Sequence, residues 1–125
     1  MARLLVVDDE LHFRSYLGRI LEAEGHEVQT AADYAGAFEA VEDFAPDLLI
    51  ADWMLRSRLD GLGLAAALRR RFPRLAVVVI TGHPIGDLQR RLAGGEIEAV
   101  LEKPFGAAAL REVVARVLEP RSRTG

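Results

Sequence analysis

Short apolar runs alternate with segments of helical periodicity along the whole sequence, and this alternation limits the folds that the chain can adopt. The strand-like runs cover residues 4–7, 27–31, 47–52, 75–81 and 97–101. The helical segments cover residues 10–24, 34–43, 62–72, 84–93 and 106–118. Strictly alternating strands and helices form a parallel sheet with helices on both faces. The sequence therefore predicts an α/β fold, a doubly wound sheet of five parallel strands.

The order of the strands follows from their polarity. Runs 4–7, 47–52 and 75–81 are apolar almost throughout, which is typical of central strands buried on both faces. Runs 27–31 and 97–101 mix polar and apolar residues and are expected at the edges. With right-handed crossovers, this ranking favours the flavodoxin-like order 2-1-3-4-5, in which ligands bind at the carboxyl ends of the strands.

Length and composition predict one domain, residues 1–119, followed by a flexible C-terminal tail at residues 120–125. Half of the residues are hydrophobic and the formal net charge is -3, which argues against disorder and against a nucleic-acid-binding surface. The absence of cysteine excludes disulfides and thiolate metal sites. Since no apolar run is long enough for a signal peptide or a membrane span, we expect a cytoplasmic protein that binds neither membrane nor nucleic acid directly.

Polar side chains follow four of the predicted strands. Asp8 and Asp9 follow the first strand, Asp52 ends the third, Thr81 ends the fourth and Lys103 follows the fifth. In the predicted strand order these side chains converge on one crevice. Three clustered carboxylates repel one another unless they share a proton or a cation. Hard oxygen ligands without histidine or cysteine favour Mg²⁺.

A carboxylate beside a metal ion, an amine and a hydroxyl forms a phosphoryl acceptor site. An oxygen of Asp52 can attack phosphorus in line, while Mg²⁺ and the Lys103 ammonium neutralise charge on the transferred oxygens. The hydroxyl of Thr81 can then bind a phosphoryl oxygen and sense its arrival. Lys103 is the only lysine beside fifteen arginines, which indicates a position that requires a compact ammonium, although chance explains one lysine equally well.

The sequence resembles the receiver domain of two-component response regulators, similar to the single-domain chemotaxis regulator CheY, over nearly the whole chain. The resemblance is carried by Val7-Asp8-Asp9-Glu10, Leu49-Ile50-Ala51-Asp52, Asp60-Gly61, Ile80-Thr81-Gly82 and Glu102-Lys103-Pro104-Phe105. It implies that Asp52 is the phosphorylated residue. It also implies that Asp9, Asp52 and the Met54 backbone carbonyl bind Mg²⁺, with Asp8 acting through water. Thr81 and Lys103 would contact the phosphoryl group, and the Lys103–Pro104 bond would be cis.

The function implied by this resemblance is a phosphorylation-dependent signalling switch. The donor would be a sensor histidine kinase or a phosphotransfer protein. The domain would not be a conventional enzyme but would catalyse its own Mg²⁺-dependent phosphorylation and dephosphorylation. Its downstream protein partner would bind the surface formed by the fourth predicted helix, the fifth strand and the fifth helix. A homodimer through the last helices is left open.

One departure from the family keeps a second function open. The family usually has an aromatic residue three positions before the lysine, and this chain has Val100 there. Val100 favours a receiver-like module that docks a protein without a phosphorylation switch. Asp8 or Asp9 would also serve as the N-cap of the first helix, but a cap does not explain Asp52.

Two further classes fit the sequence less well. A Mg²⁺-dependent phosphatase that uses an aspartyl phosphate would need a second acid two residues after the nucleophile, where this chain has Met54. A flavin-binding relative would need a hydroxyl-rich phosphate loop after the first strand, where Asp8 and Asp9 would repel the phosphate.

Overall fold

The computed structural model describes residues 2–53, 61–82, 90 and 92–124. Its strands are β1 (Arg3–Val7), β2 (Glu27–Ala31), β3 (Leu48–Asp52), β4 (Ala76–Thr81) and β5 (Ala99–Glu102). Its helices are α1 (Leu11–Ala23), α2 (Tyr34–Ala40), α3 (Gly61–Arg71) and α4 (Ala107–Thr124). Arg90, Leu92 and Ala93 also have helical backbone, and the rest of the predicted helix 84–93 lies outside the described residues.

The strands form one parallel sheet in the order β2-β1-β3-β4-β5. This confirms the predicted α/β fold and the strand order 2-1-3-4-5. Every residue of β3 and β4 is buried, whereas four of the five residues of the edge strand β2 are at least partly exposed. The polarity of the strands therefore ranked them correctly, because a central strand of a parallel sheet is covered by helices on both faces.

Alternate residues of the central strands pack into two separate hydrophobic clusters. Leu49 and Val77 face α2 and α3, where they pack with Leu64 and Leu68. Their sequence neighbours face α1 and α4, in a cluster that includes Leu48, Ile50, Val78, Leu17, Leu21, Leu110 and Val114. The two-residue period of a strand requires this arrangement. Since both faces of the sheet are filled by aliphatic side chains, polar chemistry is confined to the strand ends.

Element boundaries differ from the prediction by a few residues. The second helix ends at Ala40 and the fifth strand begins at Ala99, so both are shorter than predicted. The last helix continues to Thr124, where the sequence predicted an end at Leu118. The boundary at residue 119 and the flexible tail at residues 120–125 stay predictions.

Gly25 ends α1 as the sequence predicted. Its φ angle is +94°, a left-handed conformation that glycine adopts without a steric penalty. Its backbone N–H donates to the carbonyl of Glu22, which closes the last turn. The chain can therefore reverse at once into β2. Among the described residues, no helix combines the length and the hydropathy that crossing a membrane would require.

Candidate functional site

The carboxyl ends of β1, β3 and β4 meet at one edge of the sheet. Asp52 is the last residue of β3, Thr81 is the last residue of β4, and Asp8 directly follows β1. The parallel ladders hold these ends level, because Val7 pairs with Ala51 and Asp52 pairs with Ile80. These three segments, together with Lys103 after β5, therefore meet at one edge of the sheet, as the sequence predicted.

Asp8, Asp9 and Asp52 form a cluster of carboxylates. Each offers an oxygen, and these oxygens all lie within 4.8 Å of one another. Asp8 is fully buried, and Asp52 is 9% exposed. Negative charges this close in a partly desolvated site raise each other's free energy unless a cation or a proton compensates them. The cluster is the predicted set of carboxylate metal ligands.

Asp8 carries the least compensated oxygen in this cluster. Its Oδ1 accepts a hydrogen bond from the Glu10 backbone N–H at 2.8 Å. Its buried Oδ2 has no hydrogen-bond donor among the residues that the structure describes. Burial raises the pKa of Asp8 to about 6, and the nearby Asp52 carboxylate adds to this rise. The Glu10 N–H and the Lys103 charge oppose it.

The donor set fits a hard divalent cation. A buried carboxylate oxygen without a donor is costly, and a cation bound by the three aspartates would compensate it. Carboxylate oxygens are the ligands that Mg²⁺ takes in proteins, together with water and phosphate oxygens. The Met54 carbonyl, which the resemblance adds to this set, lies outside the described residues.

Lys103 provides the positive charge at the site. Its Nζ donates to Oδ2 of Asp52 at 3.1 Å and lies 3.9 Å from Oδ2 of Asp8. Its backbone N–H donates to the carbonyl of Thr81 at 2.7 Å, which ties the segment after β5 to the end of β4. The Lys103–Pro104 peptide bond is cis, as the resemblance implied.

Thr81 lies at the same edge and is 2% exposed. It pairs with Glu102 in the ladder between β4 and β5, one residue before Lys103. Val100, which stands where the family usually has an aromatic residue, pairs with Val79 and packs against the cluster that contains Leu49. Thr81, the predicted sensor, and Val100, the departure from the family pattern, therefore lie on the neighbouring strands β4 and β5.

The N-cap of α1 is Glu10, so neither Asp8 nor Asp9 has that role. The Glu10 carboxylate accepts from the backbone N–H groups of Phe13 at 2.6 Å and His12 at 3.2 Å. These two hydrogen bonds lower the pKa of Glu10, and the bond from Phe13 has the larger effect. The capping alternative for the acidic pair is therefore wrong, because α1 begins at Leu11, two residues later than an Asp8 cap and one residue later than an Asp9 cap would require.

Phe13 was missed as a site residue by the sequence reasoning. The Lys103 Nζ lies 4.6 Å from the centre of its ring, and the ring of Phe105 packs edge-on against it with 5.7 Å between centroids. Its helical spacing with Leu17 indicated a buried face and nothing more. A phenylalanine on the first turn after the acidic pair is the one signal in the sequence that would have drawn attention to it.

The chain matches known proteins over almost its whole length. A family model of the response regulator receiver domain matches residues 4–115. The nitrogen assimilation regulatory protein NtrX of Azorhizobium caulinodans is 38% identical over 119 residues, which cover 93% of this chain and 26% of NtrX. Response regulator MprA of Mycobacterium ulcerans is 37% identical over 124 residues, which cover 98% of this chain and 51% of MprA. The chain thus spans about a quarter to a half of these relatives.

Solved structures agree with this match. The receiver domain of NtrX from Brucella abortus is 41% identical with a TM-score of 0.83, over 93% of this chain and 98% of that one. The chemotaxis regulator CheY4 of Vibrio cholerae is 26% identical with a TM-score of 0.85, over 94% of this chain and 99% of that one. The chain belongs to the response regulator receiver domain family, the phosphorylation-dependent switches of two-component signalling.

Proposed function

We propose that this chain accepts a phosphoryl group on Asp52 and changes its binding to a protein partner in response. The observation that carries the proposal is the pairing of the acidic cluster with the only lysine of the chain at one sheet edge. The Lys103 ammonium lies 3.1 Å from the Asp52 carboxylate, and oxygens of Asp8 and Asp9 lie within 4.8 Å of it. This combination can hold both a cation and a transferred phosphoryl group.

In the proposed reaction an oxygen of the Asp52 carboxylate attacks phosphorus in line. A bond forms between this oxygen and phosphorus, while the bond between phosphorus and the donor's leaving group breaks and its electron pair leaves with that group. The donor is a phosphohistidine of a kinase or phosphotransfer protein, or a small acyl phosphate. Hydrolysis by water later restores the carboxylate, so the domain catalyses both steps on itself.

The metal in this proposal is Mg²⁺, held by the carboxylates of Asp9 and Asp52, with Asp8 acting through water and with the Met54 carbonyl. Bound there, it would neutralise charge on the phosphoryl oxygens. Lys103 donates from the same edge and balances the remaining negative charge. Thr81 hydrogen-bonds a phosphoryl oxygen after transfer, which couples the modification to the end of β4.

The output surface of the proposal comprises the predicted helix 84–93, β5 and α4. Its connection to the site runs through Lys103, whose backbone N–H binds the carbonyl of Thr81. A change at Thr81 therefore reaches the start of the segment that leads into α4. Such a switch needs only a few kcal/mol of bias between two packings. The cytoplasmic location stays a prediction.

The fluorescence of Trp53 provides the first test. Trp53 is the only tryptophan, follows Asp52 directly, and donates its backbone N–H to the Ile80 carbonyl at 2.7 Å. We expect a saturable change in its emission as Mg²⁺ is added. Addition of acetyl phosphate should then give a second change and an intact mass increased by one phosphoryl group.

The control variants are Asp52→Asn and Asp33→Asn. Asp52→Asn should lose the mass increase completely. Asp33→Asn removes an equal charge at the N-cap of α2, outside the carboxylate cluster, and should behave like the wild type because asparagine also caps helices. A mass increase that survives in Asp52→Asn would show that the acceptor lies elsewhere and would contradict the proposal.

Val100 favours one alternative, a receiver that docks its partner without a switch. In this alternative a phosphoryl analogue has no effect on the conformation. Beryllofluoride in the presence of Mg²⁺ separates the two functions. A change in amide chemical shifts along β5 and α4 supports the switch, and shifts confined to the neighbourhood of Asp52 support the docking module.

A further inference from the structure

The aromatic ring of Phe13 contacts the Lys103 ammonium. Nζ lies 4.6 Å from the ring centroid, inside the distance of about 6 Å within which a cation is attracted to an aromatic face. The two residues come from opposite ends of the chain, since Phe13 lies on the first turn of α1 and Lys103 follows β5. This contact has no part in the phosphoryl-transfer chemistry described above.

The ring of Phe13 is itself held by two other aromatic residues. Phe105 packs against it at 5.7 Å with an angle of 71° between the ring planes. Tyr16 stacks on it at 6.4 Å with an angle of 30°. Phe13 and Phe105 are both partly buried against the core cluster that contains Leu17. The ring of Phe13 is therefore held in place. Lys103 and Phe105, which both contact it, belong to the same segment after β5.

Besides the ring, the ammonium contacts two carboxylates among the described residues. It makes a hydrogen bond to Asp52, and its distance of 3.9 Å from the Asp8 Oδ2 is an ion-pair distance. The Lys103 side chain is 34% exposed and ends a flexible stem with several rotatable bonds. An attraction to the ring reduces the number of positions that the ammonium can occupy while leaving its donors available to oxygen atoms.

We propose that Phe13 is a positioning residue, whose aromatic face holds the Lys103 ammonium in the place from which it stabilises the transferred phosphoryl group. This inference rests on the proposed phosphorylation of Asp52. The inference goes beyond that proposed function because it assigns a role in the reaction to a side chain on α1 that would not contact the phosphoryl group. The role depends on the electron density of the ring and not only on its volume.

The test replaces Phe13 by phenylalanine analogues that carry one, two or three ring fluorines. Fluorination weakens the negative face of the ring step by step and changes its shape little. We expect the initial rate of Asp52 phosphorylation by acetyl phosphate, at saturating Mg²⁺, to fall with each added fluorine. The trifluoro protein should be about two- to fivefold slower than the wild type. Phe13→Tyr should keep the rate within about twofold because its face also attracts cations, and Phe13→Leu should lose at least as much as the trifluoro protein.

The same analogues at Phe38 provide the matched control. Phe38 packs against Tyr34 at 4.7 Å on the other side of the sheet, and no cation contacts its ring among the described residues. Fluorination there should leave the rate unchanged. The melting temperature of every variant is measured as well, so that a general loss of structure is recognised.

A second measurement is independent of phosphorylation. Urea unfolding of the fluorinated series is repeated in a Lys103→Met background, which keeps the side-chain length and removes the charge. Fluorination of Phe13 should increase the equilibrium constant for unfolding. This increase should be about two- to fivefold larger when Lys103 is present than in the Lys103→Met background.

Rates that are equal across the Phe13 series, with a normal wild-type rate, would overturn the inference even if Phe13→Leu is slow, because volume would then explain everything. Equal effects of fluorination with and without Lys103 would overturn it too. If the wild type is never phosphorylated, the proposed function fails, and the urea series shows by itself whether the ring and the ammonium interact.

Discussion

The ammonium of Lys103 lies 3.1 Å from Oδ2 of Asp52, although the two residues are 51 positions apart in the sequence. Two ladders and one loop produce this contact. β3 pairs with β4, β4 pairs with β5, and Lys103 follows the last residue of β5 directly. The site therefore depends on strand order more than on any local motif.

Arginine should not replace Lys103. A planar guanidinium is larger than an ammonium and directs its donors in a fixed fork, so it cannot occupy the space between Asp52, Asp8 and the Phe13 ring. We expect Lys103→Met to reduce the phosphorylation rate by about 100-fold, the scale seen when one charged donor to a transition state is removed. Lys103→Arg should stay within about threefold of that loss. A rate near that of the wild type in Lys103→Arg would contradict this prediction.

Neutralising Asp8 should stabilise the metal-free protein. Asp8→Asn keeps the acceptor for the Glu10 N–H and removes a buried charge whose Oδ2 has no hydrogen-bond donor among the described residues and only a 3.9 Å ion pair with Lys103. We expect the free energy of unfolding at pH 7 in EDTA to rise by about 1–2 kcal/mol. Affinity for Mg²⁺, measured by Trp53 fluorescence, should fall in the same variant. Asp33→Asn, which neutralises a capping carboxylate outside the cluster, is the matched control and should change neither quantity appreciably.

The stability of the metal-free protein should depend on pH through Asp8. Burial raises its pKa from 3.8 to about 6 in the folded state, so the folded protein binds this proton more tightly than the unfolded chain does. The stabilisation from this proton is present at low pH and is lost as the pH rises from about 4 to about 6. The increase in unfolding free energy caused by Asp8→Asn should therefore be near zero at pH 4 and reach its full size at pH 7. An increase in unfolding free energy that is constant between pH 4 and pH 7 would show that the titration of Asp8 is not its source.

His26 should contribute a pH dependence of opposite sign. Its Nδ1 accepts a hydrogen bond from the Ala2 N–H at 3.3 Å, and burial lowers its pKa. The unfolded chain therefore takes up this proton more readily, so stability is lost as the pH falls below about 6.5. Denaturant unfolding of His26→Gln should show a flatter profile between pH 7 and pH 5. A slope in His26→Gln equal to that of the wild type would contradict this prediction.

Arg69 and Glu98 should stabilise the edge of the sheet together. Arg69 donates to both carboxylate oxygens of Glu98, at 2.7 and 3.0 Å, and to the carbonyl of Leu75. Glu98 also accepts from the Val77 N–H at 2.9 Å. We expect Arg69→Met to cost about 1–2 kcal/mol of unfolding free energy, since both side chains are half-buried. A double-mutant cycle with Glu98→Gln should give a coupling energy of about 1 kcal/mol, and additive losses would show that the pair does not act as a unit.

The sequence predicted that certain side chains converge, because their position follows from strand order, while their roles stay predictions. Asp8, Asp52 and Lys103 each adjoin the end of a strand, and once the polarity of the strands gave their order, the convergence of these residues followed. The residue pattern did not indicate which of Asp8 and Asp9 is fully buried. Which of two adjacent acids is fully buried depends on the direction in which the chain leaves β1, and that is a property of the packed structure.

The contact between Phe13 and Lys103 was beyond prediction for a different reason. Helical periodicity states which face of α1 is covered but not which distant side chain covers it. The identity of the cap was missed as well, because aspartate is a preferred N-cap residue by type and glutamate is not. The roles of Met54 and the predicted helix 84–93 stay predictions, since they fall almost entirely outside the described residues.

The ladders that align Val7 with Ala51 and Asp52 with Ile80 also determine how the site can fail. Neighbouring strands cannot slide continuously, because their hydrogen bonds re-form only after a step of about 3.3 Å, the length of one residue. Such a step turns every side chain to the opposite face of the sheet. A strand that shifts would therefore bury Asp52 among aliphatic side chains instead of moving it slightly away from Lys103. The geometry of the acceptor is thus all or none, and substitutions in the core should change the fraction of assembled molecules before they change the site within each molecule.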